Sequence, residues 1–269
     1  VLGDATKVNF VSTRGKNRFT TLNSGGVDLL SRNTTWTLSR DAGMKLDFVG
    51  INYYDGQGFM VNKSLGVTSA KELDGDTVCV QVGTTSELNL ADFFRVNNMG
   101  YEPLPVDTNA QASERYSAGN CDVYTTDASG LASTQASMPK PDNHVILPEI
   151  ISKEPLGPVV RQGDDQWANV VRWSLNAMIA AEELGITSEN VADMLNSNKP
   201  EALRLLGKEG EFGDKLGLSN DWAYQIIKQV GNYGESFERN LGQNTPLQVQ
   251  RGINALWKDG GLMSSPPFR

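Results

Sequence analysis

Apolar positions recur along this chain in two rhythms, one of period two and one near 3.6, and the switch between them divides the sequence. Val8-Asn9-Phe10-Val11 alternates and predicts a strand. A short helix over Arg18 to Asn23 is predicted next, stopped by Gly25-Gly26, and then a buried strand over Val27 to Leu30. Ser31 to Asp41 is polar and rich in Thr, hence loop or one helical turn. Leu46 to Val49 and Gly58 to Val61 read as strands. Between them Asn52 to Gln57 mixes aromatic and turn residues, as suits a crossing between two lobes.

A second block alternates strand and helix. Thr68 or Ser69 caps a short helix through Leu73, stopped near Gly75, and Val78 to Val82 is a strand. Gly83-Thr84-Thr85-Ser86 opens a helix to about Asn97, followed by a strand at Tyr101 to Val106. A helix at Gln111 to Ala118 and a strand at Cys121 to Thr125 complete the block. This alternation predicts an α/β unit with a parallel sheet. His144 to Leu147 and Gly157 to Val160 are further strands, the second returning the chain to the first lobe.

From Asp164 the pattern turns helical. Trp167, Val170, Val171, Leu175, Met178 and Ile179 form one face of a helix that Gly185 stops, and Thr187 or Ser188 caps the next. Ser219-Asn220-Asp221 caps another carrying Trp222, Ile226, Ile227 and Val230. Thr245-Pro246 starts a last helix with Leu247, Ile253, Leu256 and Trp257, ending at Gly260-Gly261. These stripes read as core rather than as a partner surface.

Two stretches echo one another. Phe19 to Leu30 and Ser113 to Tyr124 each read as helix, Gly stop, turn with Asp and short apolar strand. A polar cluster then lies at the strand's carboxyl end, Ser31 to Thr35 in one and Thr125-Thr126-Asp127 in the other. Ligands of open α/β sheets bind beyond such strand ends, so two units of this kind suggest a small polar ligand held between two lobes.

Length and composition narrow this picture. The 269 residues suffice for one large or two modest domains, with 39% apolar and 21% charged residues. The net charge is −8 with no basic run, which argues against nucleic acid and anionic membrane as partners. No apolar run approaches the about 18 residues of a membrane span. The chain opens Val-Leu-Gly-Asp, without Met or signal peptide, and reads as processed, trimmed or incomplete. Cys79 and Cys121 lie in or beside apolar strands. They read either as two buried thiols or, in an oxidising compartment, as one disulfide, and the disulfide is expected. The single His, His144, has no ligand-spaced neighbours, so no metal is expected.

Three clusters carry candidate chemistry. Ser31 to Arg40 is dense in hydroxyls and ends in Arg, whose planar fork grips a carboxylate; the other reading is a solvated Thr-rich loop. Gly83-Thr84-Thr85-Ser86, between strand and helix, offers backbone N–H groups and a helix dipole to an anion, or simply caps the helix. Asp127 at a strand end would pair with an ammonium, or cap a turn. Together they describe a receptor for an α-amino-acid head group, with Trp36 or Tyr53 packing on the ligand side chain or lying in the core. Enzyme signatures are weak: there is no zinc-binding His pair, no Walker-type phosphate loop and no Gly-x-Ser-x-Gly elbow.

The stretches LLSRNTTWTLSRD, INYYDGQGFMV, VGTTSELNLADFF, TTDASGL, EIISKEPLGPVVRQGDDQW and GLSNDWAYQIIKQVGNYGESFERN resemble the periplasmic solute-binding proteins of polar-amino-acid ABC importers, in particular the general L-amino-acid-binding branch. The resemblance covers essentially the whole chain. It implies an α/β, two-lobed type II periplasmic-binding-protein fold. Residues 1–56 would begin lobe 1, 57–157 would form lobe 2, and 158–269 would return to lobe 1 and add a helical C-terminal extension after about Gly185. A two-strand hinge would run near Tyr54 to Gly58 and near Leu156 to Val160. Asn33, Thr35 and Arg40 would hold the ligand from lobe 1, Arg40 on the α-carboxylate. Thr85, through its backbone N–H, with Thr84 nearby, would hold the same carboxylate from lobe 2, and Asp127 would take the α-ammonium. The implied partners are an amino acid, or a compound with a free α-amino-acid head, and an ABC permease and ATPase complex at the inner membrane. No cofactor is implied, and the protein would not itself insert in the membrane. Relatives carry a strand, a ligand-facing loop and a helix before the position of Val1. Lobe 1 is therefore expected to be rearranged, or its central strand supplied by another chain or segment. The alternatives are a lyase or dehydratase on the same fold and a detached sensor domain.

Overall fold

The computed structural model describes residues 1–269, the side chain of Ala5 excepted. Along the chain run α1 (Arg18–Asn23), α2 (Leu38–Met44), β1 (Leu46–Phe48), β2 (Tyr53–Asp55), β3 (Gln57–Asn62), β4 (Thr77–Gln81), α3 (Thr85–Val96), β5 (Glu102–Val106), α4 (Asn109–Ser117), β6 (Val123–Asp127), α5 (Ala128–Ser137), β7 (His144–Ile146), β8 (Glu154–Leu156), β9 (Val159–Arg161) and α6 (Asp165–Leu184). Then come α7 (Val191–Met194), α8 (Pro200–Leu205), α9 (Phe212–Leu216), α10 (Trp222–Val230) and α11 (Tyr233–Asn240). Two compact units divide the chain. One takes Val1–Val11, Asp47–Asn52 and Pro158–Arg269, the other Ser12–Leu46 and Tyr53–Gly157.

In the second unit a five-stranded sheet has the order β5-β4-β6-β3-β7. β4 pairs in parallel with β5 and β6, as the alternating pattern predicts. β3 pairs antiparallel with both β6 and β7, so the sheet is mixed rather than wholly parallel. Side chains alternate between faces along each strand. Phe59 and Val61 join Val78, Val80, Leu90, Phe94 and Val123 in one core cluster. Met60 joins Cys79, Ala112, Tyr116, Tyr124 and Leu131 in another. Each fully buried Leu or Phe contributes about 1.5–3 kcal/mol. Thr108 starts α4 in a capping box with Gln111, a signal that lay one turn ahead of the predicted start. Cys79 and Cys121 form a disulfide across 42 residues, with Cα atoms 5.8 Å apart, joining β4 to the approach of β6.

The 20-residue α6 organises the first unit. Its Ala177, Ala180 and Ala181 pack with Ile186, Leu205, Leu206, Trp222, Ile226, Ile227 and Phe268. The small residues on α6 admit the large aromatic and branched ones, and these stripes are core except at Val230, which is exposed. β1 pairs with β9 as a two-stranded sheet. No helix among the described residues is long and apolar enough to cross a membrane.

Three sequence expectations fail. Val8 to Val11 is not a strand, and Val8, Phe10 and Val11 are exposed; alternation alone does not make a strand without a neighbour to take its backbone groups. Val27 to Leu30 is not extended over its length: only Leu30 forms a bridge, and Leu30 is buried. The helix expected from Thr245 to Gly260 is replaced by turns and two single-turn 3-10 segments, Gly252–Asn254 and Trp257–Asp259. Gln248 and Gly252 sit at φ 47° and 49°, which breaks any right-handed run. Ile253 and Trp257 point outward, so the supposed apolar face does not exist.

Candidate functional site

The carboxyl ends of β4 and β6 supply the first two elements. β4 runs into Gly83, whose φ of +71° suits glycine and where an added Cβ would sit 3.1 Å from Lys16 Cα. Thr84 then caps α3: its hydroxyl accepts from Glu87 N at 3.3 Å and donates to Gln81 O at 2.7 Å. The N–H groups of Thr85 and Ser86 head the helix, where no intrahelical acceptor exists and the dipole favours negative charge. β6 ends in Asp127, opposite Gln57 of β3.

Asp127 is buried and accepts a 2.7 Å hydrogen bond from Asn33 Nδ2. Burial pushes its carboxyl up to about 7; Asp55 and Glu154 add to the rise, while the Asn33 hydrogen bond and the Arg18 charge oppose it. Asp55 is also raised, chiefly by burial, although Ser129 Oγ donates to it at 2.5 Å.

The third element is the backbone of residues 34–36, which lies along β8. Thr35 forms a bridge with Leu156, Trp36 N donates to Pro155 O at 2.8 Å, and Gly157 N donates to Thr34 O at 3.1 Å. β2 pairs with the same strand, placing Asp55 opposite Glu154. This register sets the Thr35 hydroxyl against Glu154 Oε2, to which Thr85 Oγ1 also donates at 2.9 Å; the two threonine oxygens are 3.2 Å apart. Asn89 Nδ2 and Ser152 Oγ each donate to Glu154 Oε1 at 2.7 Å. Glu154 is thereby buried with four donors around it.

Thr37 caps α2, and the turn delivers Arg40, whose Nη1 donates to Thr35 O at 2.9 Å. Arg18, from α1, donates to Asn33 O at 3.0 Å, and its buried Nε has no hydrogen-bond partner. Both guanidinium groups lie over the Phe19 ring, at 4.8 Å for Arg18 and 5.1 Å for Arg40. Burial, then the charges of Arg40 and Arg32, lower Arg18 to about 9. Arg40 is also lowered, mainly by burial, with Glu154 and Asp127 acting in the opposite direction.

Arg40, Thr35 and Thr85 are thus joined in one hydrogen-bonded set and Asn33 and Asp127 in another, with Asn33 and Thr35 two residues apart on the same segment. Thr84 stands beside Thr85 with its hydroxyl committed to the cap. Trp36 is partly exposed and donates to Asp41 at 2.8 Å. Tyr53 is half-buried on β2, its hydroxyl pushed up to about 12 by burial and by Asp55. Sequence reasoning missed Glu154, Arg18 and Asn89. Glu154 sits in a polar run that reads as surface, and Arg18 was read only as a helix start. Among the described residues no group of His, Cys, Asp and Glu side chains is arranged to hold a metal ion.

Known proteins match this architecture. The chain is 60% identical over 270 residues to the glutamate/glutamine/aspartate/asparagine-binding protein BztA of Rhodobacter capsulatus, covering all of this chain and 80% of that protein. It is 56% identical over 271 residues to the general L-amino acid-binding periplasmic protein AapJ of Rhizobium johnstonii, again with 100% and 80% covered. A solved structure, an ABC transporter periplasmic binding protein from Brucella ovis with glutathione bound, superposes with a TM-score of 0.97 at 55% identity, covering 100% of this chain and 85% of that one. The fold is therefore the type II periplasmic-binding-protein fold. Residues 2–190 match the model of the bacterial extracellular solute-binding proteins, family 3, and the chain belongs to that family.

Proposed function

We propose that this protein is a periplasmic receptor that binds an L-amino acid, or a compound with a free α-amino-acid head, and delivers it to an ABC permease and ATPase complex. The observation that carries this reading is the joining of two receivers of opposite sign. The Arg40 guanidinium and the head of α3 meet through Thr35 and Thr85, and buried Asp127 lies against Asn33, two residues from Thr35, so that they would face opposite ends of one small molecule. Arg40 and the Thr85 N–H hold the α-carboxylate, Asp127 holds the α-ammonium, and Asn33 and Thr35 complete the ring from the other segment. Thr84 supports α3, while Trp36 and Tyr53 wall the ligand side chain. Residues 1–56 and 158–269 act as one lobe and 57–157 as the other, with β2 and β8 in the crossing. Ligand contacts drawn from both segments favour the state in which they meet.

The relatives' names support the ligand class: acidic and amide amino acids, general L-amino acids, and glutathione, whose γ-glutamyl end keeps a free α-amino-acid head. Arg18, with its unpartnered Nε, is suited to a second carboxylate. The reading is of binding without turnover. Mass spectrometry of ligand released from denatured protein, with calorimetry on L-glutamate, L-glutamine and glutathione, tests it. Arg40→Ala is expected to cost about 3–5 kcal/mol of affinity, because a buried carboxylate loses its partner. Unchanged affinity removes Arg40 from the site, and product formation from any of the three ligands overturns the receptor reading.

A further inference from the structure

We infer that Glu154 sets the polarity of the ligand site by taking the hydroxyl protons of Thr35 and Thr85, so that their oxygens receive the ammonium end of the ligand. The inference rests on the receptor reading above and assigns Glu154 as a positioning residue rather than a ligand contact. Each carboxylate oxygen of Glu154 collects two donors: Thr35 and Thr85 at Oε2, Asn89 and Ser152 at Oε1. A carboxylate that only accepts fits this set of four. A hydroxyl has a single hydrogen, and once that hydrogen points at Glu154 the oxygen offers lone pairs alone. The Thr35 and Thr85 oxygens, 3.2 Å apart, then form a paired acceptor.

Such a pair attracts an N–H donor and disfavours a carboxylate. The geometry therefore sorts the two ends of a zwitterion. The α-carboxylate goes to Arg40 and the N–H groups at the head of α3, and the ammonium to Asp127 and the two threonine oxygens. The burial of Glu154 keeps water from competing for its oxygens. Its charge also acts at both Arg40 and Asp127. Glutamine at this position would carry an N–H₂ on one side; the Asn89 amide donor favours leaving the carbonyl oxygen on its own side, and the N–H₂ then turns a threonine hydroxyl round to accept and frees its hydrogen to donate into the site.

The test compares L-glutamate with (S)-2-hydroxyglutarate, which has the same carboxylates and a hydroxyl in place of the ammonium, by calorimetric competition on the full chain. Glu154→Gln is expected to lower the preference for L-glutamate by about tenfold, the worth of a hydrogen bond to a charged group. Thr35→Val should lower it similarly, Thr35→Ser should keep it, and the Glu154→Gln/Thr35→Val pair should lose less than the product of the single losses. The two Thr35 variants carry the test if Glu154→Gln does not fold. Equal weakening of both ligands by Glu154→Gln, or an unchanged preference in Thr35→Val, overturns the inference while leaving the receptor reading in place. Failure of the receptor reading shows instead as wild-type protein that binds none of L-glutamate, L-glutamine and glutathione, and overturns the inference with it.

Discussion

On the proposed reading, in which Asp127 takes the ligand's ammonium, binding is expected to release a proton. The free carboxyl is held at about 7, against an ordinary 3.8, mainly by burial. An ammonium docked against it stabilises the ionised form and returns its pKa towards the ordinary range. At pH 6 roughly 0.9 proton should leave for each ligand bound, and affinity should fall roughly a hundredfold between pH 8 and pH 5. The folding consequence has the opposite sense. A carboxyl raised from 3.8 to about 7 contributes stability that is fully present below pH 3.8 and is lost as pH rises through 7, with a limit of about 4 kcal/mol. Asp127→Asn should therefore abolish tight binding yet fold at least as stably as wild type at pH 8. Calorimetry of L-glutamate binding at pH 6 in buffers of different ionisation enthalpy measures the released proton directly. An enthalpy independent of buffer, or a pH dependence of affinity that survives in Asp127→Asn, refutes the reasoning.

Other perturbations follow from the same geometry. Arg40→Lys should recover only part of the affinity lost in Arg40→Ala, since an ammonium cannot make two parallel bonds to a carboxylate; titration of both variants with L-glutamate checks this. Replacing both Cys79 and Cys121 by Ser should cost about 4 kcal/mol for a closed stretch of this length, read from denaturant midpoints with and without reductant on the wild type. Leu131→Ala, at a side chain with no exposed surface, should cost about 2–5 kcal/mol in the same assay. Gly207→Ala should destabilise the first unit by more than about 1 kcal/mol: φ there is +74° and an added methyl would sit 1.9 Å from Asn220 O; thermal unfolding measures the loss.

What could be read from sequence was what local chemistry decides. The alternation from Thr77 to Asp127 was legible because α3 carries its own start signal, Thr84 with Gly83 ahead of it, and because β4 and β6 are short apolar runs. The disulfide was legible as one of two options, since Cys79 lies on β4 and Cys121 just ahead of the neighbouring β6. Glu154 was not legible. Its burial depends on hydroxyls from Thr35, 119 residues away, and Thr85, 69 away, and nothing in EIISKEPLG records them. β8 itself went unread, because Pro155 within a three-residue strand argues against pairing. The tail beyond Thr245 was misread for the converse reason: Thr-Pro is a valid local start, but Gln248 adopts a left-handed backbone that no pattern of apolar residues reveals.

The disulfide and the sheet it staples have a consequence for size selection. Thr85 follows β4 and Asp127 ends β6, and these strands are immediate parallel neighbours, about 4.8 Å apart. On the proposed reading the receivers for the two ends of the ligand head stand just beyond the ends of these two neighbouring strands, so the stapled pair limits how far apart they can be. A β-amino acid, one methylene longer between nitrogen and carboxyl, is then expected to fit less well than its α counterpart.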